Sequence, residues 1–152
     1  MKISTASIYD LSALIRLEKD CFSSPWKEKD LVFALRQSWQ TLLIAKDDEG
    51  REIGYGIFSS LPGEWEVIRL GVSLSFRGKG VGKALMRSAL TFFAESGGGR
   101  MLLEVRASNT PALRLYERLG FSIYGTRPRY YNNPIEDAVC MEICVLPEKE
   151  KE

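Results

Sequence analysis

The stretch FRGKGVGKAL, residues 76–85, sets Gly78, Gly80 and Gly82 among Lys79, Val81 and Lys83, with Arg77 in front and an apolar run behind. Small residues ahead of a helix leave several backbone N–H groups free at its positive end, where a phosphate binds. Two familiar spacings fail here. A nucleotide P-loop needs Gly, four residues, then Gly-Lys-Ser/Thr. With Gly82-Lys83 as the pair, the first position is Arg77 and the hydroxyl position is Ala84. The dinucleotide pattern G-x-G-x-x-G ends on Lys83 or Leu85, depending on where it begins. What remains is Arg77-x-x-Gly80-x-Gly82 opening a helix. The alternative is a plain turn and a glycine-weakened helix start.

The other chemistry is narrowed by what is missing. The chain has no histidine. Ser-His-Asp triads, Cys-His dyads and histidine metal sites are therefore excluded, and proton transfer falls to a carboxylate, tyrosine, lysine, thiol or water. Cys21, Cys140 and Cys144 are an odd count without C-x-x-C spacing, so neither a disulfide framework nor a zinc ribbon is expected. No metal site is expected. Lys plus Arg number 21 and Asp plus Glu 20, and a net charge of +1 gives no electrostatic case for nucleic acid. The N-terminus has no apolar stretch of signal-peptide length. The longest strongly apolar run, LLIA at 42–45, is far too short for a bilayer. A soluble, cytoplasmic protein without membrane partners is the expectation.

The elements that must carry these residues follow from periodicity. Length predicts one domain, 1–146, with a charged, frayed tail at 147–152. Ser7 and Asp10 form a capping box for a helix to about Asp20. FSSPW, 22–26, is a loop in which Ser24 caps a second helix, Pro25 being its first residue, ending near Ser38. Strands are predicted at 41–46, 52–60 and 65–73, with DDEG and LPGE as turns. Helical spacing resumes from Gly80 to the SGGGR stop at 96–100; a strand covers 101–106 and a helix Asn109–Leu119. FSIYG and DAVCMEICV are the last strands. The order predicts an α/β (α+β) fold. Its central sheet would be mixed, mostly antiparallel and of about seven strands, with helices on both faces.

Two segments, VIRLGVSLSFRGKGVGKALM and LLEVRASNTPALRLYERLGF, resemble the GNAT acetyltransferase superfamily. The second segment, FSSPW and RPRYY (127–131) resemble bacterial enzymes that acetylate the N-terminal alanine of a ribosomal protein. The resemblance implies a GNAT-like domain that uses acetyl-CoA and releases coenzyme A. The loop Arg77–Lys83 would cradle the pyrophosphate, and the backbone of Leu70, Gly71 and Val72 would bond the pantetheine arm. Asn109 would contact the cofactor, Glu104 would act as base, and Tyr116 as acid. It also implies direct attack by an amine on the thioester, without a covalent enzyme intermediate. The expected acceptor is a protein or peptide N-terminus. Two departures leave other acceptors open. Arg69 stands where the subfamily usually has Asn or Ser, and EVIRLGV, 66–72, resembles enzymes acting on lysines or small amines, in which Glu66 would be the base. A catalytically silent acyl-coenzyme A sensor is a further alternative.

The residue chemistry suits these roles. Amines attack only when deprotonated, and neutralising lysine at pH 7 costs about 3.5 kcal/mol more than neutralising an α-amine. An α-amine therefore needs only a modest base. Glu104 is flanked by Leu102, Leu103 and Val105, so partial burial would raise its pKa; the alternative is an ion pair with Arg106 or Arg69. A phenol near 10 and a thiol near 8.5 make transfer from Tyr116 feasible; the alternative is packing at a helix–sheet seam. Tyr130 and Tyr131 either line an acceptor groove or begin a strand.

Overall fold

A computed structural model describes residues 1–148. The expected tail therefore lies outside the described residues from 149 onward. Its first two residues do not fray, because the Glu148 backbone N–H bonds the Ala94 carbonyl at 2.9 Å. Seven strands form one sheet: β1 (Lys2–Thr5), β2 (Gln40–Lys46), β3 (Glu52–Leu61), β4 (Glu64–Val72), β5 (Gly99–Arg106), β6 (Ser122–Tyr131) and β7 (Glu136–Val145). Their spatial order is β1-β2-β3-β4-β5-β7-β6. Every neighbouring pair is antiparallel except β4 and β5.

Four helices cover the two faces. On one side lie α1 (Leu11–Cys21) and α2 (Glu28–Arg36); α3 (Val81–Glu95) and α4 (Thr110–Arg118) pack with the opposite core. Leu14, Leu17, Leu31 and Ala34 recur at helical spacing and pack with Leu42, Tyr55 and Ile57 of the sheet. Val81, Leu85, Met86, Ala89 and Phe93 are the matching stripe of α3, against Phe58, Trp65, Met101 and Leu103. Trp65 stacks on Phe93 at 5.1 Å.

Three expectations are corrected. The first strand, β1, was not foreseen, since four residues carry little alternation. Ser24 and Pro25 do not start α2. The helix begins at Glu28, because Asp30 accepts from the Lys27 backbone N–H and closes the cap there, while the Ser24 carbonyl accepts from Arg69. The RPRYY segment belongs to β6, which runs well beyond FSIYG.

The feature that makes a site possible is the parallel pair. β4 and β5 are in register only over Glu64–Arg100, Trp65–Met101 and Glu66–Leu102. Beyond Glu66 and Leu102 the two strands run on without pairing. β4 also carries a register shift opposite Ile57 and Phe58, where Val67 and Arg69 are the paired residues and Ile68 is extra. A bulge of this kind bends the strand and re-aims the residues beyond it.

Candidate active site

The backbone edge of β4 beyond that pairing opens onto a cleft of about 770 Å³, which α3 and α4 also line. Alternation along β4 decides what its edge offers. The Ser73 N–H bonds Ile53 on β3, so Leu70 and Val72 turn their backbone groups away from β3, toward the opening. Leu70, Gly71 and Val72 all line the cleft. The Val72 carbonyl is taken, however, by Arg77 Nε at 3.0 Å and Cys21 Sγ at 3.4 Å. Gly71 has a packing reason of its own. A Cβ there would lie 2.6 Å from the Tyr55 ring.

Gly80 is the N-cap of α3 rather than its first residue, with φ +83°, and Gly78 has φ +75°. Both need the left-handed region that only glycine enters cheaply. A Cβ at either would meet nothing within 4 Å, so the space in front of the loop is open. The first intrahelical bond runs from Ala84 N–H to the Gly80 carbonyl. The N–H groups of Val81, Gly82 and Lys83 therefore precede it, at the positive end of the helix. Arg77, Gly78, Gly80, Val81, Gly82 and Lys83 line the cleft. Lys79 does not; it lies over the Phe76 ring, outside.

On α4, Asn109 is the N-cap, its side chain accepting from Ala112 N–H at 3.3 Å, and it too lines the cleft. Arg114 and Arg118 follow on the same wall. Four cations, Arg77, Lys83, Arg114 and Arg118, thus face the cleft, and no carboxylate is among the described lining residues. Arg114 and Arg118 escaped the sequence reading, although their i, i+4 spacing was the signal for one helix face. The set fits an elongated anionic ligand on its charge, its open glycines and its free helix N-terminus.

Tyr116 is buried, its ring edge-on to Phe121 at 5.6 Å. Packing at the helix–sheet seam is therefore part of its role. Burial, followed by the nearby Tyr131, pushes its hydroxyl up to about 12, so the gap to a thiol is wider than the sequence suggested. That hydroxyl has no hydrogen bond among the described residues. The fully buried, unpartnered side-chain polar atom found among them is Gln40 Oε1, so the Tyr116 hydroxyl still opens onto reachable space.

Neither Glu104 nor Glu66 lines the cleft, nor do Tyr116, Tyr130 and Tyr131; the two carboxylates lie on the neighbouring strands β5 and β4. Glu104 points to the face opposite Met101, Leu103 and Val105, and its side chain is 15% exposed. Its ion-pair partner is neither Arg106 nor Arg69 but Arg127, at 3.0 Å. Arg106 is engaged by Glu136, and Arg69 by Glu18. Glu66 is exposed; desolvation, then the Glu104 charge, pushes its carboxyl above the ordinary range. Tyr130 is held above its usual value first by its hydrogen-bonding interaction with Glu104 and then by burial. Burial and Glu104 push Tyr131 up to about 12. Both tyrosines therefore lie by Glu104 as well as in β6.

Arg69 closes the remaining wall. It makes two 2.9 Å bonds to Glu18, which is fully buried, and one to the Ser24 carbonyl. Tyr55 and the Trp26 N–H complete the carboxylate's partners. The guanidinium also lies 4.0 Å from the Phe22 ring centre, and Phe22 lines the cleft. The residue that departs from the subfamily pattern thus ties FSSPW to β4.

Comparison with known proteins agrees with this architecture. The model of the acetyltransferase (GNAT) family matches residues 11–121. The [ribosomal protein bS18]-alanine N-acetyltransferase of Escherichia coli K12 is 31% identical over 93% of this chain and 95% of its own. The N-alpha-acetyltransferase RimI of Mycobacterium tuberculosis is 41% identical over 60% of this chain and 59% of its own. The crystal structure of the ribosomal-protein-S18-alanine N-acetyltransferase from Escherichia coli superposes with a TM-score of 0.89 at 27% identity, over 99% of this chain and 97% of that one.

Proposed function

The chain belongs to the acetyltransferase (GNAT) family and is an acetyl-CoA-dependent N-acetyltransferase; from that premise we propose that its acceptor is the N-terminal α-amine of a protein, such as a ribosomal protein. The observation that carries this reading is the split between β4 and β5. It leaves the Leu70 and Val72 backbone edge of β4 facing the cationic cleft, and Glu104 on β5 beyond the last paired residues. The relatives that act on a ribosomal protein support the acceptor class.

Acetyl-CoA supplies an activated acetyl thioester when bound. The first turn of α3 and Arg77, Lys83, Arg114 and Arg118 hold its anionic part. Gly78 and Gly80 let the backbone come close. Leu70, Gly71, Val72 and Asn109 line its path, with the Leu70 edge unclaimed by the bonds that occupy Val72. Glu104 receives the α-ammonium and takes its proton at a carboxylate oxygen. Tyr116 keeps its own proton and offers it from the hydroxyl to the departing sulfur. Cys21 reaches the same cleft, but burial pushes its thiol up and its S–H is bonded to Val72. That argues against a covalent enzyme intermediate, since a nucleophilic thiol needs its pKa lowered. Residues 1–146 suffice for all of these contacts.

A second reading, with Glu66 as base for lysine or small amines, is favoured by its raised carboxyl alone. An acceptor screen separates the two. Peptides with a free N-terminus should be acetylated faster than N-terminally blocked peptides carrying lysine. Preference for lysine or free polyamines overturns the α-amine assignment.

A further inference from the structure

The chain contains two arginine–glutamate pairs beside the cleft, and they are built differently. Arg69 and Glu18 meet through two bonds of 2.9 Å, the carboxylate is sealed from solvent, and three further groups secure the pair. Arg127 approaches Glu104 with Nε at 3.0 Å, with 58% of its own side chain exposed. The first geometry is permanent; the second is one that another cation can break at small cost.

Regular register puts Arg127 on the face of Glu104, since Gly125 pairs with Cys140, which pairs with Glu104; the bulge comes after Arg127 and bears on Tyr130. Arg127 pairs with Ala138 and Tyr131 with Glu136, so Pro128, Arg129 and Tyr130 stand opposite Asp137 alone. Arg129 adopts φ +53°, and its N–H is held by the Asp137 side chain at 2.9 Å. Bulges and left-handed non-glycine residues concentrate where a side chain is being aimed. Here the result is that Tyr130 joins Arg127 at Glu104. Across the strands, Glu104, Cys140 and Gly125 form one row, and a Cβ at Gly125 would meet nothing within 4 Å. The guanidinium lies over this row with open space beside it.

A carboxylate already neutralised by a guanidinium is a poor place to receive a proton from an incoming ammonium. We propose that Arg127 is a removable counter-ion, which occupies the acceptor-ammonium position on Glu104 in the free enzyme and is displaced by the amine when it binds. Arg127 is thus a positioning residue that sets acceptor affinity. The inference rests on Glu104 as the group that receives the amine.

The test measures binding by calorimetry to the enzyme–coenzyme A complex, using the best acceptor from the screen of peptides and free amines. A failed peptide assignment then changes the probe and not the test. Arg127→Gln removes the competitor, so acceptor Kd and KM should fall about three- to fivefold, the size of a partly exposed ion pair. Acetyl-CoA KM should stay unchanged, which also reports an intact fold. Arg127→Lys keeps a cation and should restore the weaker affinity. In Glu104→Gln the Arg127→Gln change should have no effect on acceptor binding. An unchanged or raised acceptor KM in Arg127→Gln overturns the proposal, as does a gain that persists in the Glu104→Gln background. Full activity of Glu104→Gln by itself instead removes Glu104 as base, which is a separate outcome.

Discussion

Tyr116→Phe separates packing from chemistry at one atom. The ring and its edge-on contact with Phe121 remain, and the hydroxyl that is lost has no hydrogen-bond partner among the described residues. Stability should change by less than about 1 kcal/mol, hence Tm by no more than about 2–4 °C. Catalysis should change more. With the hydroxyl at about 12 and a thiol near 8.5, complete proton transfer to the thiolate is uphill by about 5 kcal/mol. The contribution is therefore a hydrogen bond to a developing charge, worth about 1.5–3 kcal/mol. That corresponds to a fall in kcat of about 10- to 150-fold. Steady-state kinetics with saturating acceptor, beside a thermal melt, read both quantities. Because Tyr116 stays protonated until about pH 12, wild-type kcat should show no loss from its ionisation at pH 9–10, taken as roughly two units below that value. An unchanged kcat would refute the argument and leave Tyr116 as packing, with water protonating the sulfur. A large fall in Tm would refute the claim that the hydroxyl is structurally idle.

Gly80→Asp places a side chain and a negative charge at the helix N-terminus where the cations face the cleft; acetyl-CoA Kd should rise by at least about tenfold, since loss of one charge-assisted hydrogen bond to the anion costs about 1.5 kcal/mol or more, and unchanged calorimetric affinity would reject the cradle. Glu104→Gln should lower kcat more than Glu66→Gln, because Gln keeps the shape but takes no proton; the reverse ranking hands the base to Glu66, and two mild effects leave positioning as the main contribution. Arg69→Met strands the buried Glu18 carboxylate, so it should cost about 3–5 kcal/mol, or roughly 6–20 °C in Tm. In the wild type, burial acts to raise the Glu18 carboxyl, but Arg69, the Trp26 N–H and Tyr55 together outweigh it and hold it below 4.5. Its contribution is thus complete above that value and is lost as pH falls through the folded value. The urea midpoint should drop below about pH 4.5, less steeply in Arg69→Met; parallel acid limbs would dismiss the Glu18 account.

What the sequence determined by itself is local. The stripe Val81, Leu85, Ala89 and Phe93, the glycines before it and the stop at 97–99 are short-range patterns, and α3 with its open N-terminus follows from them. The absence of histidine confined proton transfer to a carboxylate, tyrosine, lysine, thiol or water before any contact was known. Glu104, Tyr116 and the loop from Arg77 to Lys83 were singled out by type, spacing and resemblance. The partners of each charge were not legible, because they join residues far apart in the chain. Arg69 finds Glu18 across 51 positions, so it was unavailable to Glu104. Arg127 reaches Glu104 only because β7 lies between β5 and β6 and the register sets Gly125 and Glu104 in one row with Cys140. Ser24 fits the pattern of a helix cap, but the cap forms at Lys27, whose N–H the Asp30 side chain accepts. Propensity and periodicity act over a few residues, whereas register, strand order and bulges decide which distant side chains meet, and the electrostatics of this site depend on the latter.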